Sequence, residues 1–498
     1  MVGRKKSPIN ADILSYFPYD TPRESQTQTL RAIQDNWDKA DVFVIRTPTA
    51  GGKTSLSLTV SRWAHSVRKK RSIICHPDNA LVRQFKAAFP RMHVLWKKAA
   101  YTCQLHTGNM GEPISCEEAH RRKGEEKMRC SDCPYLKAVK MSHVLPYMTC
   151  NFHTYVAHKL SRSHPVVILD EAHTLEALAR DRAAKRLWHK DYGYPTYIRS
   201  YGQLLEWATK RLADKPDDKK LQLLVEELEG GKRKYLVEKA EELLRGKWEH
   251  CLKLLPVDVS DKCDFLWPAK QVEKIILMSA TLSSKDIEAL GLTGKRVIYL
   301  DVASPIPAER RAIETYFLGS MAYRIQDSMV PQLCGTIEAV LAENPHSKGL
   351  CHAPYSLARK IQAYMGGNPR LLFHFQDDKL DKLAEFKDSP PEEGKMLVAS
   401  GMEAGIDLPY DSARYQLLCK VPFASLAEPA MRYLAETDPE MYAWLAIRLV
   451  VQAAGRVCRA PDDEGTTIIV DKDFKRLYTK YEHLFPQFFR DALTMEEV

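Results

Sequence analysis

The sequence predicts an α/β protein of two parallel-sheet domains interrupted by two insertions. Three observations predict it. Short apolar runs rich in β-branched residues recur at Asp41–Ile45, Ser72–Cys75, Val166–Leu169 and Ile275–Met278, the pattern of strands buried on both faces. Helical patterns such as Leu56, Leu58, Val60, Trp63 separate them, and strands alternating with helices imply parallel pairing with ligands at the strand C-termini. At 498 residues the chain exceeds a single core and should hold about three or four units.

In order, the expected first α/β domain takes residues 1–96, 148–174 and 263–290. A loop-rich cysteine insert at 97–147, with the basic run His120–Lys123, breaks it once. A charged helical arch at 175–262 breaks it again: Leu221, Leu224 and Leu228 line one helix face, and Gly230-Gly231 is a stop signal. Tyr192, Tyr194, Tyr197 and Tyr201 stand among basic residues there, suited either to base stacking or to helix packing. A second alternating region begins near Val297, and the second α/β domain is expected over 291–498.

Composition narrows the class. With 45% hydrophobic and 28% charged residues there is apolar material for several cores, which excludes wholesale disorder. No apolar run reaches the ~18 residues of a membrane span. Met1–Lys6 has a basic start without an apolar stretch behind it, so no secretory signal is read and a cytoplasmic protein is expected. A net charge of +9 suits a polyanionic partner, and equally a solvated basic surface. The twelve cysteines speak against disulfides in such a compartment, and the five between Cys103 and Cys150 point to a metal.

Between the first strand and the first helix stands Thr47-Pro48-Thr49-Ala50-Gly51-Gly52-Lys53-Thr54. Small residues there let backbone N–H groups wrap phosphates at a helix N-terminus. Lys53 should reach the β- and γ-phosphates of ATP, and Thr54 should bind Mg²⁺ through its hydroxyl. The general phosphate-loop pattern has glycine where Thr47 stands, so the loop is a variant. Asp170-Glu171-Ala172-His173 follows the third strand, where Asp170 can hold Mg²⁺ through water and Glu171 can deprotonate the attacking water.

With Ser279-Ala280-Thr281 and Gln452-Ala453-Ala454-Gly455-Arg456-Val457-Cys458-Arg459 added in order, the chain resembles the superfamily 2 helicases. The second string reads as a helix with Arg456 and Arg459 on one face, able to reach a γ-phosphate as an arginine finger does. The closer resemblance is to the XPD/DinG family. It rests on Ser400-Gly401-Met402-Glu403-Ala404-Gly405-Ile406-Asp407-Leu408-Pro409, on Lys348–Ser356 and on Pro22-Arg23-Glu24-Ser25-Gln26. This resemblance implies two RecA-like domains. It also implies nucleotide contacts from Gln26, Thr49, Gly51, Gly52, Lys53, Thr54, Asp170, Glu403 and Asp407, and catalysis by Lys53, Asp170, Glu171, Gln452, Arg456 and Arg459.

Several members of that family carry an iron–sulfur cluster between the phosphate loop and the acidic motif. Cys103, Cys116, Cys130 and Cys133 occupy that interval, and Cys133-Pro134-Tyr135 resembles the family's closing segment. Four thiolates suit a [4Fe–4S] cluster or tetrahedral zinc, and spacing does not decide between them. Cys150 reads instead as a core strand residue. The resemblance implies an ATP-dependent DNA helicase that moves 5′ to 3′ on single-stranded and forked DNA, while the sequence leaves the oligomeric state open, with a monomer favoured. The competing readings are an RNA-directed or RNA–DNA hybrid helicase, a translocase with structural zinc, and a motor without activity. Intact Lys53, Asp170, Glu171 and Arg456 speak against the last.

Overall fold

The computed structural model describes residues 11–48, 50–107, 111–122, 133–231, 234–244, 247–375, 378–401 and 408–495. The strands run β1 (Val42–Arg46), β2 (Ser72–His76), β3 (Thr102–Thr107), β4 (Pro113–Ser115), β5 (Tyr147–Asn151) and β6 (Val166–Asp170). Next come β7 (Lys185–Trp188), β8 (Tyr235–Leu244), β9 (Lys247–Pro256), β10 (Lys274–Ser279) and β11 (Val297–Asp301). The remainder are β12 (Ile313–Gly319), β13 (Gly349–His352), β14 (Leu371–Phe373), β15 (Met396–Ala399), β16 (Tyr415–Leu418), β17 (Thr466–Asp471) and β18 (Leu493–Thr494). Two compact units result, one from residues up to Thr47, Gly52–Ala179 and Val259–Val302, the other from Pro48–Gly51, Arg180–Asp258 and Ala303 onward.

The first unit is built on a six-stranded sheet in the order β11-β1-β10-β6-β2-β5, every pair parallel. The middles of its central strands are apolar because both faces are covered, and the buried polar residues Ser72, His76, Asp170, Lys274 and Ser279 stand at strand ends. Val42, Val44, Ile73, Val167, Leu169 and Leu277 enter one core cluster, while Phe43, Ile45, Ile74, Ile168 and Ile276 enter the other with Leu56, Val60 and Trp63 of the helix Lys53–Ser66. That division is the two-residue period of a strand. Cys150 is buried in β5 opposite Cys75 of β2, a core position.

The second unit carries a seven-stranded sheet in the order β14-β15-β13-β16-β17-β12-β18, again with every pair parallel. All its strand C-termini therefore point to one edge. Two buried lysines bond backbone carbonyls: Lys348 Nζ donates to the carbonyls of Phe386, Lys387 and Ser389, and in the first unit Lys274 Nζ donates to Trp37 O and Ala40 O. Lys348 meets the carbonyl end of the helix Lys379–Asp388, where the backbone dipole is negative, and Lys274 meets the turn that follows the helix Glu24–Asp35.

The expectation of a wholly helical arch at 175–262 is corrected. Helices Tyr201–Asp214 and Lys219–Gly231 are present, and Leu224 and Leu228 pack with Tyr201, Leu204 and Ala208. However, β7, β9 and β8 form an antiparallel sheet beside them. The Glu-, Lys- and Leu-rich strands have helical propensity, but cross-strand charges outweigh it. Arg186 Nε lies 2.6 Å from Glu242, and Lys253 Nζ bonds Asp181 at 2.6 Å and Glu242 at 2.7 Å. Of the four tyrosines, Tyr194 and Tyr201 are buried with hydroxyls donating to Leu187 O and Leu228 O, which is packing; Tyr197 is exposed.

Candidate functional site

The loop after β1 is shaped by two left-handed residues, Ala50 (φ 60°) and Gly52 (φ 87°). Position 52 favours glycine because its φ lies in the left-handed region, and a Cβ there would also displace the Gln26 amide. Gly52 caps the helix Lys53–Ser66 without a side-chain bond, leaving the helix start open to an anion in the manner of a phosphate loop. Buried Thr47 ties the loop to the sheet through its N–H, which donates to Ser279 O at 3.0 Å. Gln26 accepts from Arg23 N at 3.0 Å and donates to Ser55 Oγ at 3.3 Å, so it sits against this loop.

At the C-terminal end of β6, Asp170 and Glu171 meet Lys53. Lys53 Nζ pairs with Glu171 Oε1 and lies 3.8 Å from Asp170 Oδ1. Glu171 is left-handed (φ 47°), a costly backbone state for a side chain with a Cβ, and its N–H donates to Asp170 Oδ1 at 2.9 Å. Burial pushes its carboxyl up, but Lys53 and His173 outweigh this and hold it well below the usual range.

Three more side chains complete the cluster: Ser279 and His173 from strings that the sequence singles out, and His76, which belongs to none of them. Ser279 Oγ donates to Glu171 Oε2 at 3.3 Å and lies 2.7 Å from His173 Nδ1. His173 Nδ1 is 3.4 Å from Glu171 Oε2, and buried His76 Nδ1 is 3.2 Å from Asp170 Oδ2. His76 ends β2 and Ser279 ends β10, so the parallel sheet brings all three strand ends to one edge.

In the second unit the helix carrying Gln452 spans Pro439–Ala454 and stops there. Arg456 and Arg459 lie in the turn beyond it, which corrects their placement on a shared helix face. Gly455 takes the C-cap, and Arg459 Nη1 folds back to donate to Gly455 O at 2.9 Å. The loop is then anchored by Asp463, fully buried, which accepts from Arg459 N at 2.9 Å, Glu464 N at 2.9 Å, Tyr410 N at 3.1 Å and Arg414 Nη1 at 3.2 Å. Thr49, Cys130, Glu403 and Asp407 lie outside the described residues.

In the insert, Cys103 of β3, Cys116 at the start of the helix Cys116–Arg122 and Cys133 capping the helix Pro134–Val144 gather with Tyr101 and Tyr135 in a small cluster. Cys133 Sγ lies 3.8 Å from Cys116 Sγ. Burial and Cys133 push the Cys116 thiol up to about 11. Three cysteine sulfurs in one small cluster are soft donors of the kind that thiolate-held metal groups use. Among the described residues, no three His, Cys, Asp or Glu side chains converge closely enough to hold an ion.

Residues 345–492 match the family model described as helicase C-terminal domain, and residues 20–198 match the one described as type III restriction enzyme, res subunit. An XPD protein of S. tokodaii aligns with TM-score 0.57 and 12% identity, over 95% of this chain and 100% of its own. An XPD helicase structure aligns with TM-score 0.61 and 14% identity, over 96% and 100%. No curated protein matches the chain. The two domain matches and the paired parallel sheets, which are RecA-like, define a superfamily 2 nucleic-acid helicase. The chain is XPD/DinG-like in fold. Among its described residues no helix is long and apolar enough to cross a membrane.

Proposed function

We propose that the protein is an ATP-driven DNA helicase that moves 5′ to 3′ along one strand and opens duplex or forked DNA. The observation that supports this reading most is the meeting of Lys53, Asp170 and Glu171 at one sheet edge beside the Gly51-Gly52 turn. When ATP enters, Lys53 exchanges its carboxylate partners for the β- and γ-phosphates. Thr54 and Asp170 would hold Mg²⁺, which neutralises phosphate charge there. Glu171, still beside His173, takes the proton of the attacking water as its oxygen bonds to the γ-phosphorus and the bond from that phosphorus to the ADP oxygen breaks. Arg456 and Arg459 are assigned as guanidinium donors to the γ-phosphate and Gln452 as a catalytic residue beside them, with Gln26, Thr49, Gly51, Gly52, Glu403 and Asp407 as further nucleotide contacts.

Cys103, Cys116, Cys130 and Cys133 would hold a [4Fe–4S] cluster, which when bound cross-links the insert. The assignment of DNA and of polarity rests on the resemblance to the XPD/DinG family. Its test is ATP hydrolysis stimulated by single-stranded DNA or by RNA, together with unwinding of one duplex bearing a 5′ or a 3′ tail, at low salt. Stronger stimulation by DNA and preference for the 5′ tail are expected. Stimulation by RNA alone, or preference for the 3′ tail, would reverse the corresponding assignment.

A further inference from the structure

The helix Asp473–Tyr481 follows β17 and is sharply two-sided. Phe474 and Leu477 are buried, with Phe485 and Phe489 against Phe474. The opposite face carries Lys472, Lys475, Arg476, Thr479 and Lys480, positions that fall together at helical spacing. With Ser320 and Asp473 they line an open groove of about 490 Å³. Among the described residues none of the four cations is ion-paired; Asp473, the one carboxylate in the groove, accepts from Ser320 Oγ at 2.7 Å.

Burial of a carboxylate holds this groove in place. Asp471, the last residue of β17, accepts from Met321 N at 3.0 Å, Val421 N at 2.9 Å and Asp473 N at 3.1 Å. One side chain thus pins the loops that leave β12, β16 and β17. Because every strand pair is parallel, these loops share an edge with the turns after β13 and β15, at His352–Tyr355 and Ser400–Gly401. Arg456 and Arg459 precede β17, and so belong to the opposite edge, about 20 Å away by the length of a six-residue strand. Three residues beyond Ser320, Tyr323 is 77% exposed, with Lys360 Nζ 5.8 Å from its ring centroid.

We infer that this groove grips the phosphates of a single-stranded nucleic acid and that Tyr323 offers a face on which a base stacks. Unpaired cations at helical spacing complement a phosphodiester backbone, and an exposed aromatic beside them is the other half of a single-strand platform. The inference rests on the nucleic-acid reading above and adds contacts outside the motor motifs.

The test is equilibrium binding of an oligothymidylate by the full chain across a salt series. For Lys475→Gln with Arg476→Gln, weaker binding is expected, with the slope of log K against log salt shallower by about 1.4, two contacts at about 0.7 each. Tyr323→Ala should weaken binding about fivefold or more and leave the slope unchanged. Hydrolysis of ATP without nucleic acid should stay at the wild-type rate in both, since neither change touches the ATP residues. Wild-type affinity and slope in the double variant would overturn the groove, and wild-type affinity in Tyr323→Ala would overturn the stacking face. Failure of the wild type itself to bind would overturn the nucleic-acid reading along with both.

Discussion

Nδ1 of His173 lies 2.7 Å from Oγ of Ser279, and the same hydroxyl donates to Glu171 at 3.3 Å. The residues stand 106 positions apart, joined only because β6 and β10 are neighbours in the sheet. Ser279 also accepts from Thr281 N at 3.2 Å, so the turn after β10 is bonded to the carboxylate proposed as the base. A movement of that turn would be felt at Glu171.

Ser279→Ala is therefore expected to lower nucleic-acid-stimulated ATP hydrolysis roughly tenfold, the effect of one hydrogen bond to a charged group. ATP affinity should change little, because Ser279 is not among the phosphate contacts. Stopped-flow ATP binding alongside steady-state turnover checks this; an unchanged stimulated rate would show that the hydroxyl's bond to Glu171 does not act in hydrolysis.

Lys53→Ala should abolish hydrolysis and unwinding while nearly sparing single-strand binding, since Lys53 faces Asp170 and Glu171 at the ATP loop. Glu171→Gln keeps the shape of the side chain and removes the base, so ATP should bind and persist. Turnover near the wild-type rate in either variant, followed by phosphate release, would exclude that residue from its proposed role.

His164 gives a pH dependence of stability. It is fully buried, and burial brings it from 6.5 down to about 4, against the opposing bond to Leu160 O at 3.1 Å. Between these values the unfolded chain binds a proton that the folded chain does not, so stability falls as pH drops below 6.5. The loss should reach about 3 kcal/mol near pH 4. Denaturant melts of wild type and His164→Gln across pH 4–7 should diverge by that amount at the acid end. Parallel curves would show that His164 does not titrate this way.

Purification without added metal should yield bound iron and sulfide. Cys133→Ser should lose both and unwind poorly while retaining part of its DNA-stimulated hydrolysis, because the insert is separate in sequence from Lys53, Asp170 and Glu171. Iron, sulfide and zinc analysis decides the first point: zinc without iron in the wild type would rule out the cluster. Complete loss of hydrolysis in a folded Cys133→Ser would assign the insert a general structural part instead.

Local chemistry was legible in the sequence. The β-branched run Val42–Ile45 favours a buried strand, Gly52 marks a left-handed turn, and the acidic pair directly follows four apolar residues of β6. The cysteines were legible as a group because they are close along the chain. Less was legible where two segments compete for the same residues: β8 and β9 look helical one at a time and become strands through Arg186, Glu242 and Lys253. Arg456 and Arg459 keep helical spacing, yet Gly455 and the buried carboxylate of Asp463 turn the chain out of the helix.

By itself, then, the sequence determined the buried strands of the first sheet, the glycine turn and the residue types at those strand ends, since these depend on neighbours a few positions away. Only the tertiary structure decided that Ser279, His173 and His76 surround the acid pair, and that Asp471 sets three loops beside a row of lysines and arginine. Those partnerships form between strand ends far apart in the chain. The parallel sheet brings them to one edge, and the cost of burying a polar group without a partner leaves such side chains to find one another there.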